Sequence, residues 1–157
     1  MTAAPPSIRH AVPSDAPTLV AFNRAMAMET EDLALDPQIV FKGVGAVLAD
    51  PSKGIYFLAE LDDHPAGCLL ITHEWSDWRN GDIWWIQSVY VHPDFRRRGV
   101  FKALYRHVEQ AARAAGAVGV RLYVEQENTP AQATYLSLGM ELSHYRLMQV
   151  LFGALRR

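Results

Sequence analysis

The sequence predicts an α+β domain in which a mixed, mostly antiparallel central sheet is flanked by about four helices. Two patterns carry this prediction. Runs of β-branched and aromatic residues bounded by turn residues indicate strands, and apolar residues at helical spacing indicate helices. The segments follow in the order βααβββαβαβ. Because the 157 residues contain no long linker and no repeat, we expect residues 1–157 to form a single domain.

The first half of the chain is expected to contain a short strand, two helices and a hairpin. Residues 7–12 form the strand and residues 16–28 the first helix, which Ser14 or Asp15 is placed to cap. Pro37 begins the second helix. The hairpin strands are IYFLAEL and AGCLLITHEW, joined by the turn DDHP.

The second half begins with a strand over residues 82–91, whose aromatic and β-branched content suits a buried central position. Apolar residues recur at helical spacing over residues 98–115, and Gly116 stands where a C-cap glycine belongs. A short strand, VGVRLYVE, then precedes a helix over residues 130–138 and a final strand over residues 142–151.

Composition excludes several classes of protein. The formal net charge of -2 gives no overall basic field for nucleic acid or an anionic membrane. No apolar run approaches the ~18 residues of a membrane span, and the N-terminus lacks the apolar core of a signal peptide. The single cysteine, Cys68, fits a reducing compartment. We therefore expect a cytoplasmic protein with neither a nucleic-acid nor a membrane partner.

A turn rich in arginine and glycine joins the strand that ends at Val91 to the helix that follows it. Arg96, Arg97 and Arg98 add positive charge, and Gly99 lets the backbone approach a ligand closely. A helix N-terminus also presents unpaired N–H groups and the positive end of its dipole. The turn therefore suits a phosphate group. The alternative is a solvated basic turn that binds nothing.

Two segments resemble the motifs of the Gcn5-related N-acetyltransferase (GNAT) superfamily. VYVHPDFRRRGVFKALY is similar to its acetyl-CoA-binding motif, Q/R-x-x-G-x-G/A, with Arg96, Gly99 and Phe101 at the three marked positions. LYVEQENTPAQATYLSLGM is similar to its second motif, N-x-x-A-x-x-x-Y-x-x-x-G, matched by Asn128, Ala131, Tyr135 and Gly139. Phe101 departs from the pattern, which has a small residue there. The resemblance covers about residues 83–145.

The resemblance implies a GNAT-type fold and acetyl-CoA as co-substrate, with no metal. Backbone N–H groups of the arginine turn would hold the pyrophosphate, and the strand before it would pair with the pantetheine amides. Asn128 more simply caps the helix that follows it. The predicted cofactor-binding residues are Val89, Val91, Arg96, Arg97, Arg98, Gly99, Val100, Phe101 and Asn128.

Two residues are predicted to be catalytic. Tyr135 matches the superfamily's tyrosine, and its reference pKa near 10 lies above that of a thiol near 8.5, so it can protonate the departing thiolate. The alternative is a core aromatic residue. Residues 84–87 of the central strand, where the resemblance implies a glutamate base, carry no carboxylate. The candidates for the general base are Glu125, which we name as the predicted catalytic residue, and Glu29, Glu31 and Glu74. An acceptor amine of low pKa would need no dedicated base.

All four tryptophans lie between residues 75 and 85, around a hairpin turn where two of them would expose large apolar area. Aromatic faces together with the carboxylates of Glu29, Glu31 and Asp32 would suit a cationic amine. The predicted substrate-binding residues are Glu29, Glu31, Trp75, Trp78 and Trp85. The alternative is burial of the tryptophans against the first helices or a partner subunit.

These expectations describe an N-acetyltransferase whose acceptor, a primary amine of a small molecule or peptide, attacks acetyl-CoA directly in a ternary complex. A homodimer is compatible with the resemblance. One alternative is a non-catalytic acyl-CoA-binding sensor or interaction module. Another gives Cys68 the acyl group in a ping-pong scheme, although its position inside a predicted strand favours a small buried hydrophobe.

Overall fold

The computed structural model describes residues 4–153. The chain divides into two compact units, residues 1–123 and 124–157, which are described separately. Within residues 4–153 there are five strands and four α-helices, which confirms the predicted α+β class. The single-domain organisation stays a prediction.

The sheet belongs to the first unit and has the strand order β1-β2-β3-β4-β5. Every neighbouring pair is antiparallel except β4 and β5, which are parallel. The sheet is therefore mixed and mostly antiparallel, as predicted. Its strands are β1 (Ser7–His10), β2 (Ile55–Leu61), β3 (His64–Ser76), β4 (Gly81–Val91) and β5 (Gly119–Leu122).

The helices begin close to the predicted positions. They are α1 (Ala16–Glu31), α2 (Pro37–Ala49) and α3 (Val100–Ala114) in the first unit, and α4 (Thr129–Ser137) in the second. Asp36 caps α2 by accepting the N–H of Gln38 at 2.8 Å. Asp15 occupies the N-cap position of α1, but its carboxylate accepts from Arg9 at 2.7 Å instead of from the helix.

The two sides of the sheet carry different helices. Tyr56, Leu58 and Cys68 pack with α1 and α2 in one buried cluster. Phe57 alternates with them along β2, and its ring lies 5.3 Å from that of His107 on α3. The helices α1 and α2 therefore cover one side of the sheet and α3 covers the other.

The predicted final strand is wrong. Described residues 142–151 contain no strand, and Met148 is 92% exposed. The apolar residues of this segment occur at both odd and even positions, so the sequence assigns it no buried face. A strand also needs a neighbour to pair its backbone groups, and local composition does not supply one.

Candidate active site

The edge of β4 that faces β5 is paired along only part of its length. From Ile83 to Ile86 it pairs with β5, and the last pair joins Ile86 to Leu122. β4 continues to Val91, still paired with β3 on its other side. Residues 87–91 thus have no pair in β5 and present one edge of backbone N–H and C=O groups. Val89 and Val91 lie half-buried on this stretch.

A bulge marks the point where the two strands stop pairing. Ile71 pairs with Ile86 but Leu70 pairs with Ser88, so Gln87 is the extra residue. The Gln87 amide donates to Thr72 Oγ1 at 2.7 Å. This contact holds the Gln87 side chain on the face of the sheet that carries Thr72.

The unpaired edge leads into the loop that begins α3. Arg97 and Gly99 have positive φ values of 61° and 80°, and the carbonyl of Gly99 accepts the N–H of Ala103 at 3.0 Å. The helix itself supplies no acceptor for the N–H groups of its first turn. A turn in which left-handed residues alternate with right-handed ones directs successive N–H groups to one side and can bind an anion. Arg97 and Gly99 supply two left-handed positions in this turn.

Two of the loop's arginines form ion pairs with residues elsewhere in the first unit. Arg96 Nη2 lies 2.6 Å from Glu29 Oε2, and Arg98 Nη2 lies 2.7 Å from Asp62 Oδ2. Arg97 is exposed. The positive charge of the loop is therefore partly neutralised. The pyrophosphate contacts of these arginines stay predictions.

Glu29 sits at the centre of a small network at the end of α1. Its pKa is lowered, chiefly by the hydrogen bond from Arg96 and also by that from the Tyr90 hydroxyl, at 3.2 Å. Burial and the neighbouring Glu29 raise the pKa of Tyr90. A carboxylate held in its ionised form is a weak proton acceptor, so this network disfavours Glu29 as the general base. Glu31 is exposed near the same helix end.

The tryptophans separate into buried and exposed positions. Trp84 is 5% exposed and belongs to the core. Trp85, on the other face, is half-buried, with its ring centroid 4.5 Å from that of Tyr123. Trp75 and Trp78 at the β3–β4 turn are 61% and 85% exposed. Their predicted contact with an acceptor stays a prediction.

Comparison with known proteins settles the family. A model described as the acetyltransferase (GNAT) family matches residues 20–140. The chain belongs to this family. A solved structure of a possible acetyltransferase from Clostridium difficile is 40% identical, with a TM-score of 0.89, and the match covers 96% of this chain and 100% of that one.

Two curated proteins resemble part of this GNAT chain. An uncharacterized N-acetyltransferase of Methanocaldococcus jannaschii is 32% identical over 87 residues, which are 55% of this chain and 38% of that protein. A thialysine N-epsilon-acetyltransferase of Caenorhabditis elegans is 32% identical over 79 residues, 50% of this chain and 49% of that protein. The matches thus span less than half the length of either curated relative.

A cluster that the sequence analysis missed lies across β3, β4 and β5. Arg121 Nη1 lies 2.9 Å from Glu74 Oε2, across β4. This ion pair disfavours Glu74 as a freely available base. The alternation in GVRLYV, which places Arg121 and Tyr123 on one face, is the signal that points to it. Ile83, which pairs with Glu74 and is buried, lies on the same side of these strands. We call six other residues of this side the polar face: Thr72, Glu74, Trp85, Gln87, Arg121 and Tyr123.

The second unit carries the predicted catalytic residues of this GNAT chain. Asn128 caps α4 by accepting the N–H of Ala131 at 3.2 Å, as predicted for a cap. Tyr135 is half-buried on α4, and Glu125 is exposed before it. The Glu125 carbonyl accepts from the Gln132 amide at 2.9 Å. The catalytic roles of Tyr135 and Glu125, and cofactor contact by Asn128, stay predictions.

Other features are less informative about the reaction. Within residues 4–153, no group of three or more His, Cys, Asp or Glu side chains could hold a metal ion. None of the described helices is long and apolar enough to cross a membrane. A groove of about 540 Å3 lies between α1 and α2, but none of its lining residues belongs to the predicted site.

Proposed function

We propose that this GNAT protein transfers the acetyl group of acetyl-CoA to a primary amine of a small molecule or peptide. The single observation that carries the proposal is the continuity of two features. The unpaired edge of β4, residues 87–91, leads directly into the loop at the N-terminus of α3. A ligand with an extended amide chain next to an anionic group would thus bind to consecutive backbone groups, the amides at the β4 edge and the anion at the loop.

The proposed donor site uses backbone more than side chains. The pantetheine amides would hydrogen-bond with the β4 edge near Val89 and Val91 as an added strand does. The pyrophosphate would meet the N–H groups of the loop and first turn, residues 97–101. Val100 is buried and Phe101 half-buried, so the bulky third motif residue does not project fully into solvent at this turn.

The proposed reaction is a direct transfer. An ammonium acceptor first loses one proton, to Glu125 or through water to solvent. Its nitrogen then forms a bond to the acetyl carbon, and the bond between that carbon and sulfur breaks. Tyr135 would donate a proton to the leaving thiolate and regain one from the nitrogen. The balanced products are an acetamide, coenzyme A as the thiol, and one proton.

The relatives support this proposal in coarse outline. The names of both curated proteins describe N-acetyltransferases, and one of these names specifies an amine of a small molecule as acceptor. Because the matches cover less than half of each relative, we extend only the class of reaction to this chain. The cytoplasmic location and a homodimer stay predictions.

A second candidate function is a non-catalytic acyl-CoA-binding module. Ion pairing of Glu29 with Arg96 and of Glu74 with Arg121 favours it, because two of the carboxylates considered as general bases are already engaged. A non-catalytic module would bind acetyl-CoA at the same donor site as the enzyme but would not transfer the acetyl group to any amine. Binding and chemistry must therefore be measured separately.

The test follows thioester consumption with a library of amines while acetyl-CoA binding is measured by calorimetry. We expect turnover in the wild type and a loss of about 100-fold in kcat in Tyr135→Phe, with acetyl-CoA binding unchanged. Tyr145→Phe, an exposed tyrosine of the same unit, is the matched control and should retain full activity. Acetyl-CoA binding without turnover of any amine would favour the non-catalytic module instead.

A further inference from the structure

The polar face lies beside the proposed path of the donor. Three of its residues are direct cross-strand neighbours: Trp85 on β4 pairs with Thr72 on β3 and with Arg121 on β5. Gln87, whose side chain reaches Thr72, is the first residue of β4 beyond the last pair with β5. An acyl-pantetheine chain that follows β4 back from the α3 loop would end near this point.

Only one face of the sheet leaves this point open to an acceptor. On the opposite face Trp84 and Ile86 are each 5% exposed. On the polar face Trp85 and Arg121 are half-buried and Tyr123 is exposed. The cluster that α1 and α2 cover includes Cys68, whereas Thr72 and Glu74 lie farther along β3 and outside it. An incoming amine would therefore contact the polar face.

The charges of the polar face are balanced. Glu74 and Arg121 supply one carboxylate and one guanidinium, 2.9 Å apart and both partly accessible to solvent. The carboxylate of Glu29 on α1, which accepts from Tyr90 of β4, is likewise paired with Arg96. A polycationic acceptor would find no net negative charge among these groups. An acceptor with both a carboxylate and an ammonium group would match each member of the pair.

The apolar part of such an acceptor also has a partner. The rings of Trp85 and Tyr123 pack at 4.5 Å with a tilt of 40°, and together they offer an aromatic surface beside the ion pair. Both rings belong to the same face as Arg121. A flat or aliphatic side chain would bury apolar area there while its charged end met Arg121 and Glu74.

We propose that the polar face binds an amino acid as acceptor, with the carboxylate on Arg121, the side chain against Trp85 and Tyr123, and the ammonium group towards Glu74. This inference rests on the proposed function, since it names the acceptor of the same reaction. The transfer is balanced as described above. The amino acid's ammonium group supplies the proton that is released and the proton that ends on the thiol of coenzyme A. Glu74, released from Arg121 by the substrate carboxylate, is then available to hold that ammonium group.

The experiment compares acceptors that differ only in the carboxylate. Each standard amino acid is assayed with acetyl-CoA, and the best one is compared with its decarboxylated analogue and with spermidine. In the wild type we expect kcat/KM for the amino acid to exceed that for the analogue by about tenfold or more. Arg121→Gln should abolish this preference and leave the Kd for acetyl-CoA unchanged.

Controls separate recognition from folding. Arg106→Gln breaks a comparable ion pair with Glu109 on α3 and should keep the preference. Arg121→Lys retains the charge and should restore part of it. Two results overturn this inference alone. The wild type could prefer spermidine or the decarboxylated analogue to the amino acid, or Arg121→Gln could lose activity equally on the amino acid and on the analogue. A wild type that does not bind acetyl-CoA overturns the proposed function and this inference with it.

Discussion

Arg96 joins the end of α1 to the end of β4. Its Nη2 lies 2.6 Å from Glu29 Oε2, while its Nε donates to the carbonyl of Val91 at 3.0 Å. The motif arginine of this GNAT chain therefore fixes where the unpaired edge of β4 turns into the α3 loop. Arg96 therefore also has a structural role in the loop, and its contact with the pyrophosphate stays a prediction.

Substitutions at the two ends of this pair should differ in effect. Arg96→Gln removes the bond to Val91, and we expect it to raise the Kd for acetyl-CoA about tenfold. Glu29→Gln leaves that bond intact and removes a negative charge near the loop, so we expect the Kd to stay within about threefold of the wild type. Calorimetric titration measures both. An equal loss of affinity in the two variants would contradict the account of Arg96.

Cys68 should be chemically inert. Burial raises the pKa of its thiol to about 12, so almost no thiolate is present at neutral pH. We expect the native protein to react with a thiol reagent only as fast as it unfolds. We also expect Cys68→Ala to retain kcat while losing about 1 kcal/mol in the free energy of unfolding. A tenfold fall in kcat in a folded variant would instead support the ping-pong scheme.

His107 should make folding sensitive to mild acid. Burial lowers its pKa, and the neighbouring His10 lowers it further. Its folded pKa thus lies below the unfolded value near 6.5, and in that interval the unfolded chain binds more protons. Stability should therefore fall as pH drops below about 6.5. His107→Gln should flatten this fall.

The measurement is urea unfolding between pH 7.5 and pH 5, compared with His144→Gln as an exposed control. Protonation of carboxylates also lowers the free energy of unfolding in acid. The comparison therefore uses the difference in that free energy between each variant and the wild type at each pH. If His107→Gln and the wild type lost stability in parallel over this range, the burial of His107 would not be the cause.

Features encoded by neighbouring residues were predictable from the sequence. Asn128 caps α4 through Ala131, only three positions away, and Gly99 takes a positive φ at the start of α3. Both depend on local backbone geometry, which a short motif specifies. The strands of the β2–β3 hairpin were likewise identified from residue composition and turn residues alone.

Features that join distant parts of the chain were not predictable in this way. The Arg96–Glu29 contact spans 67 positions and the Arg121–Glu74 contact spans 47. The sequence marks each charged residue but does not say which one it meets. The bulge at Gln87 depends on register, and the fate of residues 142–151 depends on a backbone partner. Local composition alone therefore overestimated the number of strands.

A substitution at Gly99 tests most directly whether acetyl-CoA binds at the loop before α3, as proposed. An added Cβ at Gly99 would meet no atom within 4 Å, so Gly99→Glu adds a carboxylate beside the proposed anion site at the cost of backbone strain from its positive φ. Gly116, with φ of 78° at the other end of the same helix, also has open space, so Gly116→Glu is a matched control for backbone strain and charge.

The measurement is calorimetric titration of acetyl-CoA into the wild type and both variants, each shown to be folded by its melting curve. We predict micromolar binding by the wild type and Gly116→Glu, and a loss of at least about 100-fold in Gly99→Glu. Equal affinity in Gly99→Glu and Gly116→Glu would contradict the account.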